Sequence, residues 1–152
     1  MKLFCAILAL VLAAGAGPAS GQSPQRLTLL LDWFINPDHG PLLVAQELGY
    51  FREAGLAVEL VAPADPNDPP KLVAAGRGDL AISYQPALTL HAERGLPLAR
   101  IATLVATPLN TLVVLRDGPV RTLADLKGRS VGFSVGGFED ALLGAMLRQA
   151  GL

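Results

Sequence analysis

Hydrophobic and polar positions alternate along the chain in blocks that predict strands followed by helices. Nearly continuous apolar runs of five to nine residues are typical of parallel strands that are covered on both faces. Five such runs lie at residues 26–33, 56–62, 79–83, 98–106 and 110–116. The intervening segments predict helices at residues 42–51, 70–78 and 86–95. Alternating strands and helices indicate an α/β fold with a parallel sheet.

The same pattern starts again in the last part of the chain. A turn-rich connector over residues 117–128 leads to a sixth predicted strand, residues 129–135, and an amphipathic helix, residues 138–152. One strand and one helix cannot bury two faces of a sheet. We therefore expect one near-complete lobe at residues 22–116, then the hinge and first βα unit of a second, truncated lobe at residues 117–152.

Residues 1–21 have the pattern of a secretory signal peptide. Lys2 precedes an apolar run from Leu3 to Ala14, and small residues follow. The run is shorter than the roughly 20 apolar residues that cross a bilayer, so a cleaved signal is favoured over the alternative of an uncleaved anchor. We expect cleavage between Ala19 and Gln22 and export to the periplasm.

Composition excludes several classes of site. The chain has 152 residues, 51% hydrophobic and 16% charged, which is enough apolar material for a core. Its one cysteine, Cys5, lies in the predicted signal peptide, so the mature chain has neither disulfides nor cysteine-bound metal. The net charge of −1 and the lack of a basic cluster argue against nucleic acid as a partner. His39 and His91 are isolated in the sequence, so no metal site is expected.

Three clusters of polar and aromatic residues follow the ends of predicted strands, at residues 32–36, 83–85 and 134–139. Ligands of open parallel sheets bind beyond the carboxyl ends of the strands, so these clusters should converge. Each also precedes a helix N-terminus, where free backbone N–H groups favour acceptors.

Each cluster also has a purely structural interpretation. Trp33 could belong to the core, and Asp38 could cap the helix that follows it. Tyr84 and Gln85 could form a strand-end turn. The glycines at 136 and 137 could form a turn without a ligand, and Glu139 could favour its helix start through the helix dipole alone.

Four stretches resemble a known family. Residues 32–39, 49–56, 79–85 and 123–143 resemble the NMT1/THI5-like solute-binding proteins, and the resemblance extends over residues 26–152. These are periplasmic components of ABC importers with the type II periplasmic-binding-protein fold. The subgroup that binds formyl-aminopyrimidine is the most similar. The resemblance implies a small-molecule ligand, an ABC permease in the inner membrane as partner, and a monomer when the protein is full length.

The resemblance also implies a set of ligand-binding residues. It carries over to Trp33, Asn36, Tyr84, Gln85, Gly137 and Glu139, and we add their neighbours Asp32, His39 and Phe138 as candidates. Aromatic, amide and carboxylate groups suit a flat heteroaromatic ring, because the faces stack and the polar groups meet ring nitrogens and an amine. None of the three clusters contains the Arg or Lys that a sulfonate or nitrate would favour.

Related functions share this fold and stay open as alternatives. Binding proteins for riboflavin, sulfonates and nitrate use it, as would a periplasmic ligand sensor. Similar thiamine-pyrimidine synthases use a Lys to hold pyridoxal phosphate and a His four residues later. Here those positions hold Ser83 and Ala87, and a Schiff base requires an amine. We therefore expect a binding protein without a cofactor rather than an enzyme.

Overall fold

A computed structural model describes residues 23–107, 109–134 and 138–152, and its strands form one parallel sheet. The strands are β1 (Gln25–Leu30), β2 (Leu56–Val61) and β3 (Leu80–Ala81), in the order β2-β1-β3. The predicted α/β class with a parallel sheet is confirmed, and it agrees with part of a periplasmic-binding-protein fold. The predicted signal peptide and Gly137 lie outside the described residues.

Five α-helices are formed by the described residues. They are α1 (Gly40–Glu47), α2 (Tyr50–Glu53), α3 (Pro69–Ala74), α4 (Gln85–Glu93) and α5 (Glu139–Gln149). Two 3₁₀ turns, Pro37–His39 and Leu123–Leu126, precede α1 and α5 in the chain. Helices α1, α3 and α4 each have proline in the first turn, where the missing N–H costs no hydrogen bond. In the described ranges, no helix is both long enough and apolar enough to cross a membrane.

The core is centred on the carboxyl end of β1. Leu29, Leu30 and Leu31 are buried, as expected for the middle strand of a sheet with both faces covered. The Leu31 N–H donates to the carbonyl of Val61 on one side, and the Ile82 N–H donates to the carbonyl of Leu30 on the other. These bonds place the residues that follow β1 and β3 at the same edge of the sheet.

Three predicted strands do not form. Residues 98–106, residues 110–116 and the described part of 129–135 have no strand pairing, so the prediction of strands there is wrong. A strand requires a neighbour for its backbone groups, and none of the strands in the described ranges pairs with these segments. Their apolar side chains remain exposed, with Val113 at 91% and Leu115 at 79%. The lobe boundary at residue 116 stays a prediction.

Candidate functional site

A cleft of about 360 Å³ lies at the carboxyl edge of the sheet. One part of its wall comes from the three strand-end clusters and from Ile82, which precedes the second cluster: Asp32, Trp33, Ile82, Ser83, Tyr84, Ser134, Phe138 and Glu139. The other part comes from the loop before α3, from α3 and from α4: Asp65, Pro66, Asn67, Pro70, Lys71, Ala87, Leu90, His91 and Arg94. The clusters predicted from the sequence therefore do converge on one concave surface.

The Asp32 carboxylate is held at both of its oxygens. The Nε2 atom of His39 lies 2.7 Å from Oδ1, and the Tyr84 hydroxyl donates to Oδ2 at 2.6 Å. Tyr84 is 52 residues away in sequence, so this bond ties the end of β1 to the end of β3. The Asp32 side chain is 12% exposed and the His39 side chain only 1%. Asp32 is thus an oriented, nearly buried acceptor at the cleft wall.

The hydrogen bonds of His39 identify its tautomer. The backbone N–H of Asn36 donates to His39 Nδ1 at 3.3 Å, so Nδ1 acts as the acceptor of the ring. The ring hydrogen then lies on Nε2, which donates to Asp32. His39 is therefore a buried positioning group behind Asp32.

Asn36 and Asp38 belong to the same local structure. The Asn36 side-chain oxygen accepts from the Asp38 backbone N–H at 2.9 Å and so caps the 3₁₀ turn Pro37–His39. The Asn36 amide nitrogen donates to the Phe34 carbonyl at 3.0 Å. The polar residues crowded after β1 therefore stabilise a sharp turn and fix Asp32, rather than all facing the cleft.

Aromatic rings supply the flat surfaces of the cleft. The Tyr84 and Phe138 ring centroids are 5.2 Å apart with their planes tilted by 36°, and Phe138 is buried. Trp33 is 42% exposed, and its ring is edge-on to Phe34 at 5.6 Å. The interpretation of Trp33 as a core residue is therefore wrong. Trp33 and Tyr84 both line the cleft.

The Tyr84 hydroxyl is a permanent donor. Burial, followed by the hydrogen bond to Asp32 and the negative charges of Asp32, Asp38 and Glu139, raises the pKa of Tyr84 well above its ordinary value. The phenol therefore stays protonated at neutral pH and keeps its bond to the Asp32 carboxylate.

Glu139 is both the first residue of α5 and part of the cleft. Its Oε1 accepts from the Ser134 hydroxyl at 3.1 Å, and its Oε2 accepts from the Phe138 backbone N–H at 3.3 Å. A carboxylate at a helix N-terminus is favourable by itself. The structural interpretation of Glu139 is compatible with the functional one, because Glu139 also lines the cleft. Its contact with a ligand stays a prediction.

The nine candidate residues divide into three groups. Asp32, Trp33, Tyr84, Phe138 and Glu139 line the cleft, and whether they contact a ligand stays a prediction. Three others do not line it: Asn36 caps a turn, His39 is buried, and the Gln85 side chain accepts from Arg100 at 2.9 Å. Gly137 lies outside the described residues.

Sequence reasoning missed the basic residues of the cleft. The three clusters contain no Arg or Lys, as stated, but Lys71, His91 and Arg94 lie elsewhere on the wall of the cleft. These residues come from the flanking helices and not from the strand-end clusters. A helical signal could have found two of them, because Ala87 and His91 in α4 and Arg94 directly after it recur at i, i+4 and i+7, the spacing of one helix face.

The part of the chain that the structure describes has no group of three or more His, Cys, Asp or Glu side chains placed to hold a metal ion. Ser83 and Ala87, the positions equivalent to the Lys and His of the synthases, both line the cleft.

Comparisons with known proteins identify similar chains. A family model described as NMT1/THI5 like matches residues 36–152. A "Putative thiamine biosynthesis protein" from Haemophilus influenzae is 51% identical over 84% of this chain and 41% of its own length. A "Formylaminopyrimidine-binding protein" from Halalkalibacterium halodurans is 36% identical over 99% of this chain and 46% of its own. The chain thus spans less than half the length of these relatives.

A third relative corrects one prediction. A Legionella pneumophila protein, 32% identical over 84% of this chain and 40% of its own length, is named "4-amino-5-hydroxymethyl-2-methylpyrimidine phosphate synthase". The prediction that the protein is not an enzyme is therefore wrong as drawn, because similar chains include named synthases. The missing amine at Ser83 does not decide the question, since Lys71 supplies an amine elsewhere on the cleft.

Proposed function

The chain belongs to the NMT1/THI5-like family, and on that premise we propose that its cleft binds an aminopyrimidine of the thiamine-precursor type. The names of the relatives from Halalkalibacterium halodurans and Legionella pneumophila both concern such a pyrimidine. The aminopyrimidine ring is therefore the part of the ligand that we assign to the site.

One observation carries this proposal: aromatic faces and two oriented carboxylates line the same cleft. Tyr84 and Trp33 offer faces on which a flat ring stacks. Asp32 and Glu139 are acceptors whose orientation is fixed by hydrogen bonds from His39, Tyr84 and Ser134. Preorganised acceptors beside aromatic faces suit a planar heterocycle that carries an amine donor.

The carboxylates of Asp32 and Glu139 have different roles. Both Asp32 oxygens already accept strong hydrogen bonds and the side chain is nearly buried, so Asp32 chiefly holds Tyr84 in place. Glu139 is held more loosely, at 3.1 and 3.3 Å, and is the better acceptor for the exocyclic amine. Asn36 and Gln85 are engaged elsewhere, so the Ser83 hydroxyl on the cleft wall replaces them as donor to a ring nitrogen.

Calorimetry with two compounds tests these roles. A hydrogen bond from the amine to charged Glu139 is worth roughly 1.5–3 kcal/mol, and stacking adds about 0.5–1.5 kcal/mol beyond burial. Glu139→Gln should weaken binding of the aminopyrimidine about tenfold or more, and an analogue without the amine much less. Trp33→Ala should weaken both compounds.

The chain offers matched controls for both substitutions. Asp140→Asn removes the next carboxylate, which does not line the cleft and, among the described residues, accepts from the Ala141 backbone N–H. Phe34→Ala removes the aromatic ring beside Trp33. Phe34 is exposed and does not line the cleft. Both should bind like the parent. If the parent ignores pyrimidines and binds riboflavin, a sulfonate or nitrate, the ligand assignment is wrong.

We also propose that the protein is exported and works with a membrane permease. The support is the signal-like pattern of residues 1–21 and the resemblance to binding components of ABC importers. The mature protein should then begin between Ser20 and Ser23. Mass spectrometry of the N-terminus from producing cells checks this, and a periplasmic protein that still begins at Met1 would contradict it. Loss of pyrimidine uptake on deletion of the gene would separate an importer component from a sensor.

A further inference from the structure

The second part of the cleft wall is basic. Lys71 projects from α3, and His91 and Arg94 come from α4 and the residue that follows it. They share the cleft with the aromatic and carboxylate residues at the strand ends. One cavity is thus lined in part by aromatic and carboxylate residues, here called the aromatic end, and in part by the three basic residues.

These donors are only weakly engaged. Lys71 Nζ is 3.5 Å from Asp68 Oδ1, and both side chains are about half exposed. An exposed ion pair of this kind contributes little and is readily exchanged for another anion. Within the described ranges, the Arg94 guanidinium has neither a hydrogen bond nor an ion pair to another residue. The two cations are therefore available to a ligand.

The nearby positive charges affect the protonation of His91. Its pKa is lowered by burial and then by the charges of Arg94 and Lys71. Burial, which is the larger cause, and the charges of the two cations thus both oppose protonation of the imidazole.

Two carboxylates lie near the donors. Asp65 lines the cleft, and hydrogen bonds from the Asn67 backbone at 2.8 Å and side chain at 3.0 Å hold its carboxylate in its own loop and lower its pKa, so that it stays ionised. Asp68 does not line the cleft. An anion placed between Lys71 and Arg94 thus competes with Asp68 for Lys71, whereas Arg94 has no side-chain partner within the described ranges.

We propose that Lys71, His91 and Arg94 form a subsite for a phosphate monoester carried by the ligand whose pyrimidine ring lies against the aromatic end. This inference rests on the proposed function. Arg binds phosphate through its planar fork of donors and Lys adds a compact charge. The carboxylates of Asp32 and Glu139 repel phosphate from the other end. The cleft therefore fixes one orientation, with the amine toward Glu139 and the phosphate toward Arg94.

Paired ligands test the subsite. The probes are 4-amino-5-hydroxymethyl-2-methylpyrimidine and its phosphate monoester, titrated against the full chain by calorimetry. The parent should bind the ester at least tenfold more tightly than the alcohol. Lys71→Gln and Arg94→Gln should each remove most of this preference and leave the affinity for the alcohol unchanged. Lys127→Gln, which neutralises an exposed lysine outside the cleft, should keep the preference.

Inorganic phosphate provides a readout that does not depend on the pyrimidine. The chain has two histidines, and only His91 lines the cleft, while His39 is buried. In NMR titrations, phosphate should move the His91 ring signals and raise its pKa, whereas the His39 signals should stay unchanged. Lys71→Gln should reduce the phosphate effect.

The outcomes separate the two proposals. A phosphate response of His91 with no binding of either pyrimidine supports the anion subsite and overturns the ring assignment. Equal affinity for alcohol and ester, with His91 unmoved by phosphate, overturns the subsite and leaves the proposed function standing. An ester preference that survives both Lys71→Gln and Arg94→Gln also overturns it.

Discussion

Individual residues of the site were predictable where topology decides their position. Asp32, Trp33 and Tyr84 reach the cleft because the carboxyl ends of neighbouring parallel strands meet at one edge. The roles of Asn36 and His39 were not predictable, because short polar side chains in a turn can equally satisfy nearby backbone groups. Arg94 was missed because it comes from a flanking helix, where an exposed basic residue gives no signal of its own.

Tyr84 gives a pH-dependent prediction. Its pKa is raised in the folded state and is about 10 when the chain is unfolded. Below the unfolded-state pKa both states carry the proton, so the stabilisation by the hydrogen bond from Tyr84 to Asp32 is fully present. Above it the unfolded state releases its proton while the folded state retains it, so stability falls as pH rises.

Tyr84→Phe should therefore lower the free energy of unfolding by roughly 1.5–3 kcal/mol near neutral pH, the value of a hydrogen bond to a charged group. The difference from the parent should shrink at alkaline pH, starting at roughly pH 10. Urea melts across this range measure it. Tyr50→Phe, which alters an exposed tyrosine, serves as the control. A constant difference at every pH would show that the Asp32 bond is not the cause.

At the scale of elements, the sequence predicted the helix starts and two of the strands correctly, whereas it did not predict which apolar runs find a pairing partner. Helices α1, α3 and α4 begin where proline and polar residues predict, and α5 begins at Glu139. β1 and β2 were recognisable by their apolar runs. The runs at 98–106 and 110–116 have the same composition and form no strand, because pairing depends on a neighbour that the run itself does not specify.

The turn between α2 and β2 depends on one glycine. Gly55 has φ +73°, and its carbonyl accepts from the Gln25 N–H at 2.8 Å at the start of β1. Gly55→Ala should destabilise the protein by about 1–2 kcal/mol, the cost of a left-handed conformation for an L-residue. Gly40→Ala is the matched control, because Gly40 is right-handed helical with open space around its Cα. Alanine there should be neutral or add about 0.4–1 kcal/mol, and thermal melts that rank the two variants equally would contradict the assignment.

The molecule has two exposed apolar segments, residues 98–106 and 110–116. Ile101, Val113 and Leu115 lie in segments without strand pairing, and their side chains are largely exposed. Exposed apolar surface of this kind favours association. We therefore expect residues 22–152, produced alone, to be poorly soluble or to form oligomers.

Light scattering after gel filtration measures this behaviour. Val113→Lys combined with Leu115→Lys should reduce the apparent mass, because charge opposes the burial of residues 110–116 between chains. Leu48→Lys, at an exposed apolar position on the C-terminal side of α1, should change it little. A monomeric parent that melts cooperatively would show that this surface does not drive association.

Trp33 gives the site an optical property. It is the chain's one tryptophan, and its partly exposed indole ring lies on the cleft wall. All indole emission of the protein therefore originates at the cleft, without contribution from any distant fluorophore of that type. A ring that stacks on Trp33 removes water from the indole and changes its emission wavelength and intensity. Occupancy of the cleft can thus be followed in unlabelled protein by fluorescence alone.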